Sequence, residues 1–360
     1  MAAPMTNPDD ERPGGPTFGR PGAPGRRRAA VAVALGAALL LWALWPFLFR
    51  RGSRAPRTIV FYGFSILGEA MNDGIFPAFQ ARWKERTGET VEFAGAFAGS
   101  GTVTNQVLLG VPAELALVAL DLDARRIADA GRTRPESWRS LPHAGVVNRT
   151  PVVILVRPGN PKGIRDFADL ARPGIRIVHP DPQTSGGALW AILAEYGAGE
   201  RSRPGGGRDL LVGIWRNVVA QASSARGART QFENGFGDAL ITYEQEAVWD
   251  RSRGRLPFEV VYPRATVLSE HTLVVLDRNV PAGRRALVDA FTAFLWSGEA
   301  QRIFVRYGFR SVDERWNAGT SAFGAIAEPF GVDAFGGWPR AKREIVDRVW
   351  RDDVLKAARP

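Results

Sequence analysis

Short β-branched runs alternate with amphipathic helical stretches along most of this chain, and the rhythm breaks near residues 142–150 before starting again. In the first series, residues 58–61 read as a strand, and 69–86 as a helix on which Phe76, Phe79 and Trp83 recur at helical spacing before a stop at Gly88. A strand at 90–93 leads into the glycine-rich turn 96–102 and a helix carrying Val103, Val107 and Leu108, closed by Gly110. A buried-type strand at 115–120 and a helix at 124–130 complete it. The second series places strands at 152–156, 175–178, 239–243, 258–262 and 273–276, and helices at 164–170, 188–196, 210–219, 284–296 and 299–307, with a helical tail at 332–355. Strands separated by helices predict an α/β fold with a mostly parallel sheet covered on both faces, here in two halves. No short fixed period is present, which excludes a solenoid.

The front of the chain is different. Residues 1–28 are rich in Pro and Gly without apolar periodicity and predict a disordered basic tail. Residues 29–49 carry no charge over 21 positions, about the length that spans a bilayer. Arg26, Arg27 and Arg28 before this run predict a cytoplasmic N-terminus, although Arg50, Arg51, Arg54 and Arg57 follow it. We read 29–49 as a transmembrane anchor and 50–57 as a linker. The alternative is a cleaved signal, whose best site, Ser53-Arg54-Ala55, is followed by Pro56. The chain has no cysteine, which excludes a lipid-anchored processing site, disulfides and thiol catalysis.

The net charge of +10 is concentrated at this end: residues 1–57 hold nine Arg against Asp9, Asp10 and Glu11, leaving only +4 for the rest. A basic stripe with interleaved aromatics is absent from the folded part, so no nucleic-acid partner is expected.

Two turns stand out chemically. In Pro180-Asp181-Pro182-Gln183-Thr184-Ser185-Gly186-Gly187-Ala188-Leu189-Trp190, a strand gives way to a helix, so amides at the helix start lack intrahelical partners, and the glycines let a ligand approach the backbone. An ordinary N-cap and tight turn would look the same. The turn around Ser100 repeats the pattern. An anion held between two such turns would meet hydroxyls, amides and helix dipoles from both sides without a lysine or arginine. Enzyme motifs are missing: 95–102 lacks the Gly-Lys pair of a phosphate loop, neither Ser100 nor Ser185 sits in a hydrolase elbow, and His143, His179 and His271 have no metal-ligand spacing. Glu244 and Glu246 fit capping or solvation as well as acid-base work. No catalytic residue, metal site or cofactor is expected.

From about residue 58 onward the chain resembles the periplasmic sulfate- and thiosulfate-binding proteins of ABC importers. The segments that carry the resemblance are Ala98-Gly99-Ser100-Gly101, residues 115–120, Leu155-Val156-Arg157-Pro158-Gly159-Asn160-Pro161, Pro182-Gln183-Thr184-Ser185-Gly186-Gly187-Ala188, Gly237-Asp238-Ala239-Leu240-Ile241, Tyr307-Gly308-Phe309-Arg310 and Phe335-Gly336-Gly337-Trp338, in the family's order and spacing. The resemblance implies a two-lobed type II periplasmic-binding-protein fold, here preceded by one N-terminal transmembrane helix. It implies that the hydroxyls of Ser100 and Ser185 and the amides of Gly186, Gly187 and Thr242 bind an oxyanion, with Gly63 and Ser65 contributing from the first turn.

The chain departs from the family pattern in two places. Tyr62-Gly63-Phe64-Ser65-Ile66 replaces the usual Tyr-Asp-Pro-Thr-Arg, and Val275 aligns with the family tryptophan whose indole N–H reaches the anion. His271 or Thr272 would compensate, and a protonated His271 would make binding depend on pH.

The resulting expectation is an extracytoplasmic protein, tethered to the inner membrane or free in the periplasm after cleavage, that captures an inorganic oxyanion for an ABC transporter permease. Sulfate ranks first and thiosulfate second. Lobe 1 is expected over 58–149 plus 266–360 and lobe 2 over 150–265, closing about hinges near 148–151 and 261–265. The alternative is a membrane-tethered sensor or interaction protein that keeps the fold but binds phosphate, molybdate, tungstate or nothing.

Overall fold

The computed structural model describes residues 35, 36, 38–40, 57–318 and 320–357. The expected tail, anchor and linker fall outside the described residues, apart from Arg57 and five helical positions at 35, 36 and 38–40. Among the described residues no helix is long and apolar enough to cross a membrane.

In the first half, β1 (Arg57–Phe64) lies between β2 (Val91–Ala98) and β3 (Leu115–Val118), parallel to both. The connecting helices are α1 (Phe76–Thr87) and α2 (Ser100–Leu109), and α3 (Asp121–Asp129) follows β3. All four residues of β3 are buried, as a strand covered on both faces requires.

Strand β4 (Val146–Val156) leads into the second half. There follow α4 (Phe167–Leu170), β5 (Ile177–Pro180), α5 (Gly186–Ser202), α6 (Gly207–Arg216), β6 (Val218–Ala222), α7 (Ala225–Glu233), β7 (Ala239–Tyr243), α8 (Glu244–Ser252) and β8 (Glu259–Val261). Strand β5 runs parallel to both β6 and β7. Strand β9 (Ala265–Val275) returns the chain to the first half, where α9 (Arg285–Phe294), α10 (Gly298–Arg306) and β10 (Arg310–Ser311) follow.

The main strand order is β2-β1-β3-β9-β4-β7-β5-β6. Its middle joins the two lobes. Residues 146–151 of β4 pair with β9, whereas 152–156 pair with β7. The far end of β9, from Thr272, pairs with β3. Two long β-strands therefore run through both lobes.

The register of β9 relocates one expected site position. Val275 lies opposite Leu115, at the start of β3, and its carbonyl accepts from the Thr133 hydroxyl at 2.7 Å. Thr272 lies opposite Val118, at the end of β3. Three residues of strand span about 10 Å, so Val275 stands away from the β3 end while His271 and Thr272 stand beside it.

Apolar burial explains how the chain divides. Phe291 of α9 sits among Phe61, Phe79 and Phe93 of the first half, with ring centroids 6.2, 5.0 and 4.8 Å away. Full burial of such a ring contributes about 1.5–3 kcal/mol. The C-terminal helix behaves differently. It runs through Trp338–Ala341, a wide-turn stretch Lys342–Val354, and Leu355–Ala357. Trp338 stacks edge-on against Trp190 of α5 at 4.6 Å, and Trp350 against Trp215 of α6 at 5.0 Å. Strand β11 (Glu328–Phe330) pairs with the near end of β9, at 265–267. The last part of 266–360, expected wholly with the first lobe, thus packs on the second, because its tryptophans find their apolar partners on α5 and α6.

Several elements were not anticipated, among them β6, α7, α8 and the short strands β10 and β11. The helix expected to reach residue 219 stops at Arg216, and Val218 and Val219 open β6 instead, as β-branched residues favour. Helices α7 and α8 follow β6 and β7.

Candidate functional site

The C-terminal ends of β1, β2 and β3 face those of β5, β6 and β7, and α2, α5, α7 and α8 begin along this seam. Crevices at the carboxyl ends of parallel strands are where open α/β sheets bind ligands.

The turn before α5 is built from its own polar groups. The Asp181 amide donates to Ala222 of β6 at 2.7 Å, and the Asp181 carbonyl accepts from the amides of Thr184 and Ser185 at 3.2 and 2.8 Å. The Asp181 carboxylate accepts from the Gln183 amide at 2.8 Å. Ser185 then caps α5 in extended conformation, but its hydroxyl makes no capping bond. Gly186 and Gly187 are the first two helical residues, so their amides belong to the set that no preceding turn can satisfy. A Cβ on Gly186 would lie 2.8 Å from the Ala119 Cβ and 3.0 Å from the Ser100 Cβ, which places the start of α5 directly against the first half.

The two turns meet through backbone. The Gly101 amide donates to the Thr184 carbonyl at 3.0 Å, and the Trp190 indole donates to the Ala119 carbonyl at 2.7 Å. Ser100 is buried and begins α2. Its hydroxyl donates to Asp123 at 2.7 Å and accepts from the Ala119 amide at 2.9 Å. The hydroxyl expected to face a ligand is thus engaged by an acid that the sequence reading did not single out.

The remaining expected residues divide. Thr242 lies opposite Val153 in the β4–β7 ladder, and its hydroxyl donates to Glu246 at 2.8 Å. Its neighbour Tyr243 reaches the seam: the phenol oxygen is buried without a partner, 3.1 Å from where a Cβ on Gly187 would stand. Burial first, then the charges of Glu246 and Asp123, hold this phenol far above its ordinary range, so it remains a donor. The Thr184 hydroxyl is likewise buried and unpartnered. Buried polar atoms without partners are rare enough that each calls for a cause, and a bound ligand is one. Gly63 lies inside the ladder between Phe97 and Leu117, with the Phe97 ring 2.9 Å from its absent Cβ; Phe64 ends the strand and Ser65 starts the next turn, half-buried.

Four glutamates near the seam are paired with arginines. Glu244 accepts two 2.8 Å bonds from Arg310, and Glu270 pairs with Arg149 at 2.9 Å. Arg226 of α7 bonds Glu246 at 2.7 Å and, across the seam, the Glu69 carboxylate, with Nη2 to Oε2 at 3.0 Å. Burial would raise the Glu69 carboxyl, but the hydrogen bonds and charge of Arg226 outweigh it and hold it below the usual range. His271 is fully buried, its Nδ1 2.6 Å from Asn148 Oδ1 and its ring 4.4 Å from that of Phe64. Burial pushes its pKa down to about 3, so it is neutral near pH 7 and offers an anion no charge.

A cavity of about 490 Å³ adjoins the turns, lined by Asp123, Thr184, Ser185 and Gly186 on one side and by Lys342 and Trp350 of the C-terminal helix on the other.

Residues 67–310 match the family described as bacterial extracellular solute-binding protein. The chain belongs to that family. It is 32% identical to a sulfate-binding protein of Synechococcus elongatus, over 85% of this chain and 89% of that one. It is 35% identical to a sulfate-binding protein of Escherichia coli, over 74% and 83% respectively. Among solved structures, the sulfate-binding protein SubI from Mycobacterium tuberculosis superposes with a TM-score of 0.73 at 29% identity, covering 80% of this chain and 99% of that one.

Asp123, bonded to Ser100, and Tyr243, beside Gly187, stand at the candidate site and were not singled out from the sequence. Tyr243 adjoins a residue that was chosen, and strand alternation sends its side chain to the opposite face from Thr242. Asp123 resembles an ordinary helix-start acid in sequence; only the pairing of β1 with both β2 and β3 brings the start of α3 beside Ser100.

Proposed function

We propose that the chain captures a tetrahedral oxyanion outside the cytoplasm, sulfate first and thiosulfate second, and delivers it to the membrane permease of an ABC importer. It is a binding protein, as its relatives are, and not an enzyme. The observation that carries this reading is the meeting of two helix-start turns across one seam, with the Ser185 hydroxyl uncapped and the Tyr243 and Thr184 hydroxyls buried without partners. Donors of this kind complement an anion that brings no proton of its own.

In the working site, Ser185, Gly186, Gly187 and Tyr243 bind from the second lobe and Ser100 from the first, with Ser65 at its margin. The lobes close by bending β4 near Thr150 and Pro151 and β9 near the facing Ser269 and Leu268. Residues 29–49 anchor the chain in the inner membrane with the folded part on the periplasmic side; cleavage near residue 55 would free it instead.

A second reading is an altered ligand, or a tethered sensor. It is favoured by the Phe97 ring packed against Gly63 and by the Glu69–Arg226 bond across the seam.

Calorimetric titration of the detergent-solubilised full chain with sulfate, thiosulfate, phosphate, molybdate and tungstate tests these readings. Sulfate binding at micromolar or tighter affinity is expected, and Ser185→Asp should abolish it by placing a negative charge in the site. Preference for another oxyanion would select the second reading. No response to any of the five would sink the transport reading.

A further inference from the structure

The cavity that adjoins the anion turns has no part in the reading above. Its volume of about 490 Å³ is of the size that holds a small organic molecule. Both lobes build it. Leu122, Asp123 and Arg126 of α3 form one wall, and Thr184 and Leu189 around the start of α5 form the next. The C-terminal helix closes the far side. Its wide-turn stretch bonds each residue to the fifth along, so residues four and five apart share a face. Lys342, Val346, Asp347, Trp350 and Arg351 therefore meet the cavity together.

Two polar groups on these walls lack a partner. Trp350 is 6% exposed, and its indole N–H makes no hydrogen bond; the Thr184 hydroxyl is buried and likewise unpartnered. An indole N–H only donates, and a hydroxyl can donate or accept. Two such groups on one cavity call for a cause. The charges agree in sign. Among the lining residues Arg126, Lys342 and Arg351 outnumber Asp123 and Asp347. Lys342 and Arg351 share Asp347, Arg126 shares Asp123 with Ser100, and Arg351 also meets Asp352 outside the lining. Leu189, Val346 and the Trp350 ring add apolar surface.

We propose that this cavity is a second ligand site, for an organic monoanion with an apolar body: a small aryl or alkyl carboxylate. Its oxygens take the Trp350 N–H and the Thr184 hydroxyl, and its body lies on Leu189 and Val346. Unpartnered donors and surplus positive charge select the anion, and the apolar side chains select the hydrocarbon. The ligand touches α3 on the first lobe and both α5 and the C-terminal helix on the second, so it favours the closed arrangement. Only that coupling rests on the reading that the lobes close on an oxyanion; the site itself does not.

The test is calorimetry of the full chain in nonionic detergent with 2-naphthoate, with and without saturating sulfate. One saturable site of millimolar affinity or tighter is expected. The uncharged 2-naphthalenemethanol should bind about tenfold or more weakly, because it forms no charge-assisted hydrogen bond. Trp350→Phe keeps a ring against Trp215 but removes the N–H, and should weaken naphthoate about tenfold or more. Leu122→Trp, at a half-buried position, fills the cavity from the first lobe and should abolish naphthoate binding in a chain that melts as the unaltered one does. Sulfate and naphthoate should each tighten the other by one common factor, about fivefold or more. Absence of naphthoate binding, equal affinity for the alcohol, or unchanged affinity in both variants overturns the site. Displacement of naphthoate by sulfate overturns it as well, since both would then lie at the turns. Independent binding of the two overturns the coupling alone. A chain that binds naphthoate with these variant effects but never sulfate overturns the oxyanion reading and leaves the second site standing.

Discussion

Gly99→Ala should separate closure of the lobes from folding. Gly99 has φ −56° and ψ 141°, which alanine adopts without strain, so the substitution has no conformational cost of its own. Its Cβ, however, would stand 2.4 Å from the Ser223 carbonyl and 2.5 Å from the Thr184 carbonyl, both backbone atoms of the opposite lobe. Neither yields easily: Thr184 sits in the turn fastened through Asp181 to β6, and Ser223 immediately precedes the Ser224 cap of α7. The facing backbone must retreat by roughly 0.6 Å before the contact becomes one that proteins tolerate. Overpacking of this kind costs about 1–3 kcal/mol, which corresponds to a sulfate Kd about 5- to 150-fold weaker. The clash exists only when the lobes meet, so thermal unfolding without ligand should hardly change. Titration calorimetry and unliganded melting of Gly99→Ala therefore form a pair of measurements. Gly68→Ala is the control, because its Cβ would touch Phe97 at an ordinary 3.9 Å. Unchanged sulfate affinity in Gly99→Ala would refute the claim that this seam closes tightly around the ligand.

Two further predictions follow from buried polar groups. Tyr243→Phe removes a hydroxyl that has no protein partner; it should weaken sulfate binding by about 10- to 150-fold, as loss of a hydrogen bond to a charged group does, while leaving the unliganded chain as stable or slightly more so. Equal affinity in the variant would show that the phenol does not touch the ligand. His271 has a folded-state pKa near 3 against an ordinary 6.5, so it contributes stability that is present above pH 6.5 and lost as pH falls toward 3, about 2 kcal/mol of it by pH 5. Urea unfolding at pH 7.5 and 5 should show that loss, and His271→Gln should reduce it; identical slopes in the two proteins would refute the assignment.

The sequence by itself determined most of the elements and much of the turn before α5. Alternating periodicities located most of the strands that form the sheet, and the order of glycine and serine in 180–190 marked a helix start with free amides, because both are properties of neighbours in the chain. Tertiary structure decided the rest. The register of β9 moved Val275 to the start of β3 and left His271 and Thr272 beside the strand end; a pairing offset is invisible in the residues of one strand. Apolar partners for Trp338 and Trp350 on α5 and α6 drew the C-terminal helix to the second lobe, although α9, earlier in the same return segment, packs on the first. Above all, burial fixed the protonation states that govern the chemistry. It keeps His271 neutral, leaves Tyr243 a donor without a partner, and places Asp123 against the Ser100 hydroxyl, since the cost of a charge depends on what surrounds it and not on its neighbours in sequence.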